Sequence, residues 1–571
     1  MQCYEKDEGW ASCRSSCTEG PDPTDMDNKT WSCKALGPRA PGKSAVTRAK
    51  VAKWVAETCP ADGADCRHAK CCKFAGRQCY EKGSYFATCR TGCTPGRDPV
   101  DPKNDTWSCK TLGSRTPFRA QKFPLPRGLS GVNLGGWLCL EDWFFSGGAG
   151  RYVDSEKAAQ GACLPPKVKS TEQPWGAEAG LTRQLGDAAV DAIKAHRSTF
   201  ISEVDFIHIR ELGLEAVRVP LTWAAFADAL AKAAPEVYGK HDPDTDTHVV
   251  PDPHYDQDLA WATIPRSLLL SVLDWAVKHE VKVVWDLHAF MGGSSNGTYN
   301  GVWPKDPAFW NGNFNVGDTK HSLFEAGLWV ADALIKWVEG LSAERRAAIV
   351  GLTLMNEPAH LLVGHHWATP EKVLDWVGKS SDLFRQSSLP GKGIKLYVNL
   401  VETTFDNYDF KPVPPWWYKT FSKTERETWV VMDRHKYWAW DKLNSGCTIE
   451  SPKCGWKCDE PINDLRAKWR KFIDYFVDEF MEFFPEGQKS MSELSIGTFR
   501  DATIACNDNN LTHAYFQEQI DAFSSKGIDS FFWTWRMPYG PRFEAGWSLR
   551  YIAGAEDENP PYECVPPEAS E

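Results

Sequence analysis

The chain has 571 residues, a formal net charge of −11 and a sequence pI near 5.8. That acidity argues against nucleic acid as a partner, and no run of 18 uncharged apolar residues is present to span a membrane. The length leaves room for more than one domain, and the 27 Trp, 16 Tyr and 28 Phe suit a core as well as sugar stacking, so only position can decide between them.

The first elements are set by cysteine. Of 19 Cys, 12 lie before residue 110. Cys3, Cys13, Cys17 and Cys33 recur as Cys79, Cys89, Cys93 and Cys109, every gap unchanged and 76 residues on. The flanks recur too, Gln2-Cys-Tyr-Glu-Lys6 as Gln78-Cys-Tyr-Glu-Lys82. Dense Cys in a small unit with little apolar sequence predicts a disulfide scaffold and an oxidising compartment. Zinc is disfavoured by the lack of paired knuckles and by a single nearby His, His68. Sequons at Asn28, Asn104, Asn296 and Asn510 fit secretion.

Residues 1–41 are expected as a partial module and 59–117 as a complete one, with a linker or short amphipathic helix over 42–58. Cys59, Cys66, Cys71 and Cys72 lead into the second repeat and have no counterparts before the first. The unit is therefore expected to hold eight Cys. With no signal peptide at its start, the chain is expected to be a fragment or trimmed product of a longer secreted protein. A hinge follows over 118–126, and the text then changes character.

From 127 to 555, apolar strand-like runs alternate with helical periods. The runs are 131–137, 216–221, 281–288, 349–357, 394–402, 428–435, 490–496 and 529–535. Amphipathic stretches fall at 199–212, 267–279, 324–340, 370–385, 463–483 and 512–525. Eight strands with intervening helices predict an α/β fold, a TIM (β/α)8 barrel preceded by small disulfide-rich modules. The connections 138–195 and 224–262 lack clean periodicity, and long loops of this kind tend to be functional. Residues 556–571 form an acidic, Pro-rich tail.

Such a barrel presents its chemistry at the C-terminal ends of its strands. There the runs end on Arg218, His288, Asn356, Glu357, Glu402, His435, Tyr437, Glu493 and Trp533. Glu357 and Glu493 each end an apolar run, where an unemployed carboxylate is costly. Two such carboxylates are what glycosidic bond cleavage needs, one to donate a proton and one to attack the anomeric carbon or activate water.

Arg127-Gly-Leu-Ser-Gly-Val-Asn-Leu-Gly-Gly-Trp137, Leu214-Glu-Ala-Val-Arg-Val-Pro220, Asp286-Leu-His288, Asn356-Glu-Pro358, His435-Lys-Tyr437 and Phe532-Trp-Thr-Trp-Arg536 occur in this order. Together they resemble glycoside hydrolase family 5, and within it the exo-β-1,3-glucanase-like members, over about 127–550. The resemblance implies a retaining double displacement with Glu357 as acid/base and Glu493 as nucleophile. An acid needs a raised pKa and a nucleophile an ionised carboxylate, which suits that division. Arg218 and Tyr437 are then expected to hold and aim Glu493. Asn356 matches the residue that binds the sugar 2-OH, His288 and His435 orient substrate and carboxylates, and Trp533 floors the reacting subsite. Glu141 matches a substrate-binding Glu of the exoglucanases, and a loop salt bridge is the competing reading.

Three places depart from the family pattern. Ser492 stands where Gly often precedes the nucleophile, Leu494 where an aromatic often follows, and Ala289-Phe290-Met291 after the Asp-Leu-His turn. They bear on subsite shape and linkage preference. Among the seven Cys of the barrel region, Cys139 is the candidate buried thiol, and Cys447, Cys454 and Cys458 are expected to brace a loop through disulfides. No cofactor and no metal is called for.

In the modules, Tyr4, Trp10 and Trp31 recur as Tyr80, Phe86 and Trp107. Aromatics at fixed spacing suggest a sugar-stacking strip of Tyr80, Phe86, Trp107 and Trp31, resembling in layout the small cellulose-binding knots. A protein-binding knot, or a spacer using the rings as its core, are the alternatives. The reading is a secreted or cell-wall, monomeric, retaining β-glucan hydrolase of exo-β-1,3-glucosidase type. Its rivals are an endo-β-1,4-glucanase and, in another class, a non-catalytic wall-polysaccharide-binding protein.

Overall fold

The computed structural model describes residues 2–14, 17–39, 51–90, 93, 95–97, 105–117, 125–141, 177–358, 367–401, 411–441, 443–450, 454–499, 504–506, 508–537 and 546–553. The chain forms two compact units. One holds the Cys-rich repeats together with Ser198–Gly213, the other holds the barrel.

Each repeat is built on a hairpin. Gln2–Asp7 pairs with Trp10–Arg14, and Gln78–Gly83 with Phe86–Arg90, in the same register, Cys3 opposite Cys13 and Cys79 opposite Cys89. A short strand closes each sheet, Ala35–Leu36 in the first and Lys110–Leu112 in the second. The side-chain amide of Gln2 donates to the Gly37 carbonyl at 2.9 Å, and Gln78 does the same to Gly113 at 2.8 Å. The second repeat carries disulfides Cys59–Cys71, Cys66–Cys79, Cys72–Cys89 and Cys93–Cys109, which is the eight-Cys unit expected. The first carries Cys17–Cys33, equivalent to Cys93–Cys109, while Cys3 and Cys13 have no disulfide among the described residues. The connection includes the helix Lys53–Thr58. Trp54 Nε1 donates to the Asp25 carbonyl at 3.0 Å, and Val55 packs with Cys59 and Cys71.

The second unit is the expected closed barrel. Its strands are β1 (Gly131–Asn133), β2 (Ala216–Thr222), β3 (Lys282–Ala289), β4 (Ile349–Thr353), β5 (Lys395–Val401), β6 (Val430–Lys436), β7 (Gln488–Leu494) and β8 (Ile528–Phe532). Each pairs in parallel with the next, and β8 returns to β1. Strands rich in β-branched and aromatic residues, such as Val283-Val-Trp285, suit a sheet buried on both faces. Ala216, Val284, Tyr397, Val431 and Phe531 form one of the barrel's buried apolar clusters. Gly351 admits the Tyr397 ring there, since a Cβ at that position would lie 2.4 Å from a ring carbon.

The helices fall close to their periodic stretches, at Arg266–His279, Leu323–Gly340, Pro370–Gln386, Ile462–Phe483 and Asn509–Ser525. Ser322 caps the second by accepting from the Glu325 amide, and Thr369 followed by Pro370 opens the third. The expected helix 199–212 is Glu203–Glu211. Two helices, Glu178–Leu185 and Ala189–Thr199, lie inside a connection without clean periodicity. The insertion after β6 is braced by Cys447–Cys454 and Cys458–Cys506, as expected, and Cys139 is buried.

Candidate active site

The C-terminal ends of the strands bring the expected residues together. β4 stops at Thr353, four residues short of Glu357 and earlier than the apolar run suggested. The chain continues beside β3, with the Asn356 amide donating to the Leu287 carbonyl at 3.0 Å. Glu357 then turns with φ 35°, and its amide donates to Asn399 Oδ1 at 2.9 Å. Glu493 lies within β7, before its last residue Leu494. Both carboxylates are buried, Glu357 at 7% and Glu493 at 3% exposure.

Arg218, from β2, ties four strands or strand extensions. It donates to Glu493 Oε1 at 2.6 Å, Asn133 Oδ1 at 3.0 Å and Asn356 Oδ1 at 2.6 Å, and its Nη2 lies 3.0 Å from Asp286 Oδ2. Burial works against its charge, but Asp286 and Glu493 outweigh it and hold the guanidinium more basic than usual. Tyr437 donates to the other oxygen of Glu493 at 2.5 Å. Burial, and then the carboxylates of Glu493 and Glu357, push its phenol far up, so it remains a donor.

His435 sits between the two glutamates. Its Nδ1 is 2.5 Å from Glu357 Oε1 and 3.4 Å from Glu493 Oε2, and its Nε2 is 2.9 Å from Ser492 Oγ. Burial alone would lower its pKa, but Glu493, Asp433 and Glu357 raise it to about 10. Both ring nitrogens therefore donate, Nε2–H into Ser492, whose hydroxyl donates onward to Asp433. One oxygen or nitrogen from each of Glu357, His435 and Glu493 falls within 4.8 Å of the others.

His288 completes the other side. Its Nδ1 is 2.7 Å from Asp286 Oδ2 and its Nε2 is 3.7 Å from Glu141 Oε1. Burial opposes its charge, while Asp286, Glu141 and Glu493 raise it to about 9. The Trp533 ring lies along the His288 imidazole, with centroids 5.4 Å apart and planes 10° apart. Glu402 lies outside the described residues.

Several residues in this network were not singled out as functional from sequence: Asn133, Asp286, Asn399, Asp433 and Ser492. Each is a polar residue embedded in an apolar run, and that is the signal that could have found them. Ser492, read as a departure from the family, here links His435 to Asp433. The two carboxylates, the cation between strands and the imidazolium have the composition that acid-assisted displacement at an acetal carbon requires.

The module residues need correction. Trp31, Trp107 and Tyr80 are buried, at 1%, 5% and 7% exposure, so they cannot offer ring faces to a sugar. A small knot needs its aromatics inside, and cations cover them. Arg14 lies 3.7 Å from the Trp31 ring centroid, and Arg90 lies 4.4 Å from that of Trp107. Arg115 donates to the Tyr80 hydroxyl at 2.8 Å. Phe86 remains exposed at 37%, and so does its counterpart Trp10 at 62%.

No protein-family model matches the chain. It is similar to the probable glucan 1,3-beta-glucosidase D of Aspergillus niger, with 24% identity over 493 residues, 81% of this chain and 50% of that protein. It is likewise similar to glucan 1,3-beta-glucosidase D of Emericella nidulans, with 23% identity over 525 residues, 85% of this chain and 54% of that protein. The chain spans about half the length of these curated relatives. The rutinosidase structure from Aspergillus niger superposes with a TM-score of 0.47 at 18% identity, covering 78% of this chain and 99% of that one. These relatives carry the glucan 1,3-beta-glucosidase name, in line with the resemblance read from the motifs.

Proposed function

We propose that the chain is a secreted, monomeric retaining glycoside hydrolase that releases glucose from the ends of β-1,3-glucans. The observation that carries the reading is the spacing of Glu357 and Glu493, which bring oxygens within 4.8 Å of each other. Retaining enzymes hold their carboxyls about 5–5.5 Å apart, and inverting enzymes about 6.5–9.5 Å, to admit a water. The names of the curated relatives support the β-1,3 linkage. The described disulfides, with exposed sequons at Asn28, Asn296 and Asn510, support secretion.

In the first step Glu357 gives its proton to the leaving oxygen, and Glu493 attacks the anomeric carbon to form a glycosyl ester. Arg218 and Tyr437 hold one oxygen each of Glu493, fixing its orientation and its charge. In the second step Glu357 takes a proton from water, which displaces Glu493 with net retention. Asn356, held by Arg218, meets the sugar 2-OH.

The test is chemical rescue. Glu357→Ala should be glycosylated by a substrate with a very good leaving group, stall, and release a β-glycosyl azide when azide is added. An α-azide from this variant would reverse the two roles. On laminarin, glucose alone supports the exo reading, and a ladder of oligomers overturns it.

The repeats enter this reading as weak polysaccharide anchors through the rings that stay exposed, Trp10 and Phe86, with Tyr85 beside the latter at 87% exposure. Two weak sites on one chain gain avidity on a repetitive polymer. Retention of the full chain on insoluble glucan should fall in Trp10→Ala/Phe86→Ala at unchanged rate on soluble substrate. Equal retention would reduce the repeats to a spacer.

A further inference from the structure

The loop after β1 that carries Glu141 is gripped by one short segment. Glu141 forms an antiparallel bridge with Ala177. The next residue, Glu178, accepts the Leu140 amide on Oε2 at 2.9 Å. Glu178 is fully buried and opens the helix Glu178–Leu185. Its other oxygen lies 3.4 Å from Arg197 Nη2.

Arg197 is itself anchored. It donates to the Thr263 carbonyl at 2.7 Å and the Ala262 carbonyl at 3.1 Å, and its own carbonyl accepts Trp137 Nε1 at 2.8 Å. The Ala177 and Ala179 amides donate to Trp303 and Gly301, beyond β3. Backbone after β1, backbone after β3 and the strand Ala260–Ala262 thus converge on one ion pair.

We infer that Glu178, held by Arg197, is the positioning residue that sets the distance of Glu141 from His288 and through it the fit of the sugar. The inference rests on the reading of Glu141 as a substrate-binding residue. A structural ion pair alone would not need to seat its acceptor on the amide next to Glu141. Cys139 lies in the same place, buried, its thiol pushed far up by burial and by Glu178, Glu141 and Asp286. Burial likewise lifts Glu178 to about 7 against the pull of Arg197 and the Leu140 amide.

The test uses the whole chain with two substitutions. Glu178→Leu removes the acceptor, and Glu178→Gln keeps it. Glu178→Leu should raise KM for an aryl β-glucoside about tenfold with kcat within about threefold, the scale of a displaced contact remote from the reacting bond. Glu178→Gln should restore most of the loss. In a Glu141→Gln background, Glu178→Leu should add nothing further. Histidine NMR gives a readout independent of turnover. His288 is raised by Asp286, Glu141 and Glu493, so Glu178→Leu should lower its titration point towards that of Glu141→Gln. Should Glu178→Leu not fold, Glu178→Leu/Arg197→Met removes both charges and replaces it. An unmoved KM and His288 titration, or an undiminished effect without Glu141, would overturn the inference. If the unaltered enzyme cleaves no β-glucoside, the proposed function fails, and the His288 titration alone decides the positioning claim.

Discussion

Tryptophan beside charge occurs in both compact units, with the roles exchanged. In the repeats the cation covers the ring. Lys6 and Arg14 flank Trp31, Lys82 and Arg90 flank Trp107, and the lysines end in Asp25 at 2.8 Å and Asp105 at 2.7 Å. In the barrel the ring covers the charge, with Trp533 lying along the imidazole that Asp286 keeps protonated. A small knot has few residues to bury, so its aromatics become the core and disulfides supply the rest. The barrel has an apolar core of its own, and so its strand ends are free to hold buried charge.

The largest break between the two should come from the barrel. Glu493→Gln is expected to lower kcat by at least about 10⁴-fold in a barrel that still folds but melts at a lower temperature, because Arg218 loses its charged partner, measured by turnover and calorimetry. If the loss were small, the network would be structural in the way the repeats are. Next, Trp107→Ala should cost the second repeat about 3–5 kcal/mol, detected as faster proteolysis between residues 59 and 117, with kcat on soluble substrate unaffected. A folded variant that lost only polysaccharide retention would return that ring to a binding role. Tyr437→Phe should be milder. Losing one hydrogen bond to a charged group costs about 1.5–3 kcal/mol, or about ten- to hundredfold in kcat/KM.

The last contrast is one of pH rather than of substitution. His435 and His288 are raised to about 10 and about 9 in the folded barrel. A histidine raised above its ordinary value of about 6.5 contributes stability that is full below that pH and is lost as pH rises through the folded value. Barrel melting temperature should therefore decline from about pH 6.5 to about pH 10, and His435→Gln should flatten the upper part of that decline. The repeats should show no such slope.

Much of the fold was legible because its strands are apolar runs and six of its helices keep a regular period. The helices Glu178–Leu185 and Ala189–Thr199 escaped because several charged and small residues interrupt their apolar face. In the site, the groups at run ends stood out, while Asn133, Asp433 and Asn399 sat inside apolar text and passed for strand residues. Their partners are far away in sequence, and no local pattern reports them. The repeats misled for a related reason. Equal spacing of Trp31 and Trp107 shows that the two copies fold alike, and a core ring recurs as faithfully as an exposed one.

Arg218 carries a consequence for the order in which the barrel forms. Its partners Asn133, Asn356 and Glu493 are 85, 138 and 275 residues away along the chain. Contacts of such separation repay their loop-closure entropy only after the ring of strands has shut. The network should therefore be absent from the folding transition state. Substituting Arg218 would then leave the refolding rate nearly untouched and hasten unfolding, so that the same cross-strand links that aim the nucleophile also set the lifetime of the closed barrel.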